Sequence, residues 1–283
     1  MTANPSLTVA VAQLAPTTDA AANRDAIAAL VADAAASTGA GLGRPARLVV
    51  LPEEAMLLAG ELDDAERAEI VAREWPLFLA LLSRLATEHE TWIIAGGYEP
   101  SGEARPHNSI AVVNPRGELV DVYRKLHLYD AFSYRESDYV KGGTELPPVV
   151  MIEGVVVGLV NCYDIRFPEL ARDLVSRGAD VLAVSAAWVA GPRKEDHWTT
   201  LVRARAIENT CWVVAASTSA ADCVGTSMIV DPLGVVRAQL PPAGDEIAVV
   251  DVTLDRIAEV REILPALANR RLDTRVAVQE FQP

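Results

Sequence analysis

Short β-branched runs alternate along the chain with longer stretches rich in Ala and Leu, the pattern of α/β architecture. Runs at 7–12, 47–51, 91–96, 109–113, 119–123, 155–160, 179–185, 211–216, 227–230 and 247–252 predict strands, and stretches at 20–37, 65–88, 168–177 and 194–209 predict helices. The run GVVVGLV at 154–160 is apolar throughout, as in a strand covered on both faces. In HNSIAVVNPRGELVDVYRK two runs are joined by an Asn-Pro-Arg-Gly turn and read as a hairpin, so the sheet is predicted to be mixed. No repeat, low-complexity linker or composition break divides the chain, which predicts one domain over 1–283 with a tail from about 266 onward at a subunit interface. The glycines of TGAGLGRPA at 38–46 follow a helix and precede a strand, the reverse of a dinucleotide fingerprint, and read as a flexible surface connection.

With 51% hydrophobic and 23% charged residues, the chain has material for a sizeable core and no signature of disorder. Its 39 acidic against 25 basic side chains give a formal charge of −14, which repels a phosphate backbone and argues against a nucleic-acid partner. The start, MTANPSLTVAVAQLAP, lacks a basic and apolar secretory leader, and no run approaches the roughly 18 apolar residues that span a bilayer. A cytoplasmic protein without membrane contact is expected. Cys162, Cys211 and Cys223 are too few and too scattered for a disulfide framework and read as free thiols.

Ligands of open α/β sheets bind beyond the carboxyl ends of strands, and three reactive residues fall there. Glu53 follows RLVVLP, Lys125 follows ELVDVYR, and Cys162 follows GVVVGLVN. Taken singly they read equally as a solvated carboxylate, a surface lysine and a small packed hydrophobe. Downstream of Cys162, Pro168 and Glu169 suit the first turn of a helix and Gly178 its carboxyl-terminal cap. A cysteine on such a strand-to-helix turn is expected at the rim of the sheet, near backbone amides that lower a thiol's pKa. Together, the glutamate, lysine and cysteine supply a base, an oxyanion holder and a nucleophile without histidine. The rival is a Cys162–His127 pair of protease type, His89, His107 and His197 being poorly placed. HxH, HExxH and paired cysteines are all missing from the sequence, so neither a metal nor any other cofactor is expected.

These residues make up a pattern that resembles the nitrilase superfamily of carbon-nitrogen hydrolases, nearly from end to end. VAVAQLAP is similar to that family's first strand, LVVLPEEA to its glutamate segment, YRKLHLYD to its lysine segment and GLVNCYDIRFPEL to its nucleophile segment. HWTTLVRARAIENTCWVVAAS and GTSMIVDPLGVV resemble later elements, although Thr226 stands where the family often carries histidine or arginine. The resemblance implies an α-β-β-α sandwich with mixed sheets that pairs into a homodimer or higher oligomer. It implies Glu53 as general base, Lys125 as oxyanion stabiliser, Cys162 as nucleophile and Glu136, in YRESDYVKGG, as a second glutamate positioning lysine and substrate.

The expected reaction is hydrolysis of an amide to acid and ammonia through a cysteine thioester, with the backbone N–H of Tyr163 helping to hold the oxyanion. True nitrilases tend to read Cys-Trp-Glu, whereas Cys162-Tyr163-Asp164 is most similar to the omega-amidase and deaminated-glutathione-amidase group. A small carboxylate-bearing amide is therefore the leading substrate class. N-carbamoyl amino acids, nitriles and a non-catalytic binding role are the alternatives. Arg166 or Arg193 is a candidate for meeting the carboxylate, Arg166 being also readable as an ion-pair partner of nearby acids. Trp188 reads as a pocket wall or as core, and Tyr129 and Tyr134 lie between the lysine and Glu136 segments.

Overall fold

In a computed structural model that describes residues 5–39, 41–272 and 277–279, the strands form two six-stranded sheets stacked face to face. In chain order the strands are β1 (Ser6–Gln13), β2 (Leu48–Val50), β3 (Trp92–Glu99), β4 (His107–Val113), β5 (Leu119–Arg124), β6 (Asp130–Ala131) and β7 (Tyr134–Arg135). They continue with β8 (Val149–Ile152), β9 (Val155–Asn161), β10 (Val181–Ala186), β11 (Trp212–Ser217), β12 (Met228–Val230), β13 (Val236–Gln239) and β14 (Glu246–Thr253). The helices are α1 (Ala20–Ala36), α2 (Asp64–Glu88), α3 (Pro168–Ser176), α4 (Lys194–Asn209) and α5 (Leu254–Ile263).

The N-terminal sheet runs β14-β1-β2-β3-β4-β5 and the C-terminal sheet β13-β12-β11-β10-β9-β8. Each has three parallel strands at its centre, β1, β2 and β3 or β9, β10 and β11, flanked by antiparallel neighbours. The mixed sheets agree with the hairpin at 107–124, whose strands pair antiparallel in register Ser109 to Arg124.

Layering follows from the two-residue period of the strands. On β1, Val9 and Val11 face inward and meet Val157, Leu159 and Val214 of the other sheet, while Ala10 and Ala12 face outward against Ile27 and Val31 of α1 and Phe78 of α2. On β10 and β11, Ala183 and Val214 face the inter-sheet core, and Leu182, Val184, Val213 and Ala215 face Leu174 of α3 and Trp198 of α4. Central strands are thus apolar on both faces, which is why their sequences read as continuous hydrophobic runs. The result is the α-β-β-α sandwich that the resemblance implies.

Local signals place the helices. Asp19 accepts hydrogen bonds from Ala21 N at 2.9 Å and Ala22 N at 3.2 Å, capping α1. Pro168 opens α3, and Gly178, at φ 103°, lies just past its end. Strands β6, β7, β8 and β13 and helix α5 were not predicted. Strands β6 and β7 are two residues each, β8 and β13 are sheet edges, and the intermediate-exposed alternation of β13 carries little hydrophobic signal.

The 38–46 segment, of which residue 40 lies outside the described residues, is held down instead of loose. Gly41 N and Leu42 N donate to Asp251 Oδ2 of β14 at 3.0 and 2.7 Å, and Thr38 bridges to Pro45. Its amides are occupied by the chain's own carboxylate. Among the described residues, no helix is long and apolar enough to cross a membrane.

Candidate active site

Five segments reach one rim of the sandwich. Glu53 lies just beyond β2, Asn108 at the start of β4, Lys125 immediately after β5, Cys162 immediately after β9 and Ala187 immediately after β10. Because β4 is antiparallel to β3 and to β5, its start lies at the same rim as their ends. Glu136 comes from a single 3₁₀ turn that follows the β6–β7 hairpin. The Glu53 turn is pressed against β3, where Gly96 N donates to Pro52 O at 3.1 Å. A Cβ on Gly96 would lie 2.5 Å from the Glu53 Cα, so only glycine permits that approach.

Lys125 Nζ sits between two carboxylates, 2.7 Å from Glu53 Oε1 and 2.9 Å from Glu136 Oε2. Asn108 Nδ2 donates to the same pair, to Glu53 Oε1 at 2.7 Å and Glu136 Oε1 at 2.8 Å, and its own Oδ1 accepts from Asn161 Nδ2 at 3.0 Å. Ala187 N donates to Glu53 Oε2 at 2.7 Å, and Tyr129 N to Glu136 Oε2 at 2.6 Å. Cys162 lines the same cavity as Glu53, and the thiol and the carboxyl group shift each other's pKa. All four of Glu53, Lys125, Glu136 and Cys162 are buried.

This arrangement fixes the charge state. Burial pushes the Glu53 carboxyl up, but Lys125, the Cys162 thiol and the Ala187 N–H together outweigh it and hold Glu53 below the usual carboxylate value. Burial lowers Lys125, and the charges of Glu136 and Glu53 more than reverse this, keeping it an ammonium. Burial raises Glu136, with Glu53 adding to it against the pull of Lys125. Cys162 runs against the expectation of a lowered thiol pKa: at 7% exposure, burial and then the Glu53 charge push it well above the ordinary thiol value. The environment therefore favours the protonated thiol over the thiolate. Its backbone, at φ 45°, is in the left-handed region that non-glycine residues seldom occupy.

His127 serves elsewhere. Its Nδ1 lies 2.7 Å from Asp164 Oδ1, and its ring stacks on Phe167 at 3.6 Å. Asp164, fully buried, also accepts from Tyr123 Oη at 2.7 Å and Asn161 N at 3.1 Å, bracing the turn beneath Cys162. Asp164 thus braces the start of the 3₁₀ turn Cys162–Arg166, closing a capping box with Asn161 and pairing with His127.

A cavity of about 680 Å³ opens above these groups, lined by Glu53, Lys125, Glu136 and Cys162 together with Tyr129, Tyr134, Tyr163 and Trp188. Trp188 is 3% exposed and packs on Trp198, so it is wall and core at once. Arg193 is an exposed surface residue paired with Asp196, and Arg166 lies behind the wall, its guanidinium 4.6 Å from the Trp188 ring and in no ion pair among the described residues. Neither they nor Thr226 lines the cavity. Cys223 does, in a segment outside the strands, with its thiol pushed up to about 12 by burial; Cys211 is fully buried and likewise pushed up to about 12.

Sequence reading missed Asn108, Asn161, Ala187, Glu54 and Lys194. Glu54, whose Oε1 accepts from Tyr98 Oη at 2.5 Å, has its pKa raised to about 8 by burial and the Glu53 charge. Polar residues at strand ends were the available signal for the two asparagines; a backbone N–H donor carries none. Among the described residues, no cluster of three or more His, Cys, Asp or Glu side chains is placed to hold a metal ion.

The comparisons agree with this geometry. A family model described as Carbon-nitrogen hydrolase matches residues 8–262. An Escherichia coli O157:H7 protein named deaminated glutathione amidase is 40% identical over 269 residues, 93% of this chain and 97% of that protein. The Caenorhabditis elegans NitFhit crystal structure matches with a TM-score of 0.86 and 31% identity over 95% of this chain and 66% of that one. A carbon-nitrogen hydrolase from Helicobacter pylori G27 matches at 0.83 with 25% identity over 94% of this chain and 96% of that one. With strand-end chemistry, family model and relatives in agreement over nearly the whole length, the chain belongs to the carbon-nitrogen hydrolase family.

Proposed function

We propose that the protein is a thiol amidase that hydrolyses a small carboxylate-bearing amide to its acid and ammonia. The observation that carries this reading is the lysine held between Glu53 and Glu136, with the Cys162 thiol lining the same cavity. As the sulfur attacks the amide carbon, its proton passes to Glu53, and the carbonyl oxygen gathers charge against Lys125 Nζ and the Tyr163 N–H. Collapse breaks the C–N bond, and Glu53 returns the proton to nitrogen, releasing ammonia. Glu53 then takes a proton from water, hydroxide adds to the thioester, and the acid leaves as the thiol regains its proton. Glu136 does not touch the sulfur; it holds Lys125 and is itself held by Tyr129 N. A lysine already neutralised by two carboxylates needs no reorganisation when the oxyanion forms.

The amide class is supported by relatives named deaminated glutathione amidase, including one from Mus musculus at 35% identity. We read residues 1–283 as one domain, acting in the cytoplasm as a homodimer or higher oligomer. The exposed Ile263 and Leu272 support an interface near the end of the chain; of the tail from 266, residues 273–276 and 280–283 lie outside the described residues.

Ammonia release from a panel of amides, nitriles and N-carbamoyl amino acids tests the reading. Carboxylate-bearing amides are expected to lead, and Cys162→Ala to cut turnover by about 10⁴-fold or more. Ammonia release by Cys162→Ala at the wild-type rate would sink the scheme, and N-carbamoyl substrates leading the panel would move the substrate class.

A further inference from the structure

Lys194, the first residue of α4, was assigned no role from sequence. It is 5% exposed yet lines the same cavity as Cys162. Its Nζ donates to Tyr129 Oη at 2.8 Å, and among the described residues no carboxylate pairs with it. Three rings surround the ammonium instead: Phe132 at 4.5 Å, Tyr129 at 4.7 Å and Trp188 at 5.3 Å from ring centre to Nζ. An ammonium has three protons to donate, and one is committed to Tyr129. Burying such a charge is costly unless an anion meets it, and no carboxylate among the described residues does so.

A second unpaired cation deepens the deficit. Arg166 faces the same Trp188 ring, and its Nε and Nη2 are buried without hydrogen-bond partners. Two cations share one wall, and among the described residues neither forms an ion pair. The same lining also carries Glu61 and the carboxyl group of Glu54, which accepts from Tyr98.

The position is tied to the reaction centre from both sides. Tyr129 offers its hydroxyl to Lys194 and its N–H to Glu136 Oε2. Trp188 Nε1 donates to the Lys194 carbonyl at 2.9 Å, one residue beyond the Ala187 N–H that holds Glu53. The spacing between Lys194 and the reacting carbon is thereby fixed by short, buried connections.

We infer that Lys194 is the carboxylate receptor of the site: its ammonium, in the cage of Tyr129, Phe132 and Trp188, binds the acid end of an amide whose other end meets Cys162. This rests on the amidase reading above and names the residue that selects within it. Lys194 touches substrate away from the reacting atoms, so it governs binding more than the chemical step. The carboxylate also relieves the burial that, with the Arg166 charge, holds the Lys194 pKa below its ordinary value.

The test compares the wild-type enzyme with Lys194→Met and Lys194→Arg on succinamate, glutaramate and the charge-free butyramide. Methionine keeps the apolar stem and sits readily among rings. In the wild type, the acid amides are expected to exceed butyramide in kcat/KM. In Lys194→Met, KM for the acid amides should rise about 10- to 100-fold with kcat nearly unchanged, while butyramide turnover stays within about twofold, and Lys194→Arg should recover part of the preference. A Lys194→Met enzyme that keeps the wild-type preference for acids overturns the inference and leaves the amidase reading standing. A wild type that turns over amides without preferring acids removes the carboxylate class and this inference with it. A Lys194→Met enzyme that melts normally but loses butyramide turnover as well also overturns the inference, because Lys194 would then act on the reaction centre.

Discussion

At the carboxyl-end rim of the N-terminal sheet, every charge is answered within the protein: Lys125 lies between Glu53 and Glu136, and Asn108 bonds both acids. At the rim of the C-terminal sheet, Arg166 and Lys194 stand at the Trp188 ring, and among the described residues no acid pairs with either. The two sheets have the same strand plan, so the difference lies in what their ends carry. On the reading proposed above, the rigidity of the first rim serves the reaction. On the same reading, the second rim receives an anion and serves selection.

Breaking the first rim should have the largest effect. Lys125→Met leaves two buried carboxylates facing one another, so turnover should fall by about 10³-fold and stability by about 3–5 kcal/mol. Ammonia release and denaturant unfolding read the two losses separately. A variant as stable as wild type would mean that the rim's charges were not balanced by the lysine.

Displacing that rim without discharging it should cost less. Gly96→Ala puts a methyl against the Glu53 backbone, and turnover is expected to fall about 10- to 100-fold with about 1–3 kcal/mol of lost stability. Unchanged kinetics would show that the Glu53 turn can shift without harm.

The smallest effect probes the boundary between the rims. Glu54 has a folded-state pKa of about 8 against an ordinary 4.5. Between those values the unfolded chain releases a proton that the folded chain keeps, so wild-type stability falls as pH rises through the window and levels off above about 8. Glu54→Gln stays neutral and can still accept from Tyr98. Its melting temperature should match wild type near pH 4.5 and exceed it by about 3–6 °C at pH 8, after discounting for the partial exposure of Glu54. Parallel melting curves across pH 5–8 would contradict the raised pKa.

Legibility differed in the same way between the rims. Glu53, Lys125 and Cys162 were visible because each ends an apolar run, and strand ends are where ligands meet open α/β sheets. Glu136 lies in a turn without periodic signal and was reached only through the family resemblance. Lys194 was hidden inside a helix pattern, where a lysine in the first turn reads as solvated. The pattern LVNCYDIRF gave the position of Cys162 correctly and its environment wrongly, since exposure depends on what the other sheet places over a strand end. Asp164 caps the short turn that begins at Cys162, and only the fold shows it as a fully buried brace for Tyr123, His127 and Asn161.

By itself the sequence determined the alternation of strands and helices, the mixed sheets and the residues that can act as base, cation and nucleophile. Those are properties of short windows: periodicity, turn chemistry and residue type. Only the tertiary structure decided which charges are neutralised and which are left waiting. A pairing such as Lys125 with Glu53 joins residues 72 positions apart, and the lack of a carboxylate beside Lys194 among the described residues is a property of the space around a side chain that no window of sequence contains.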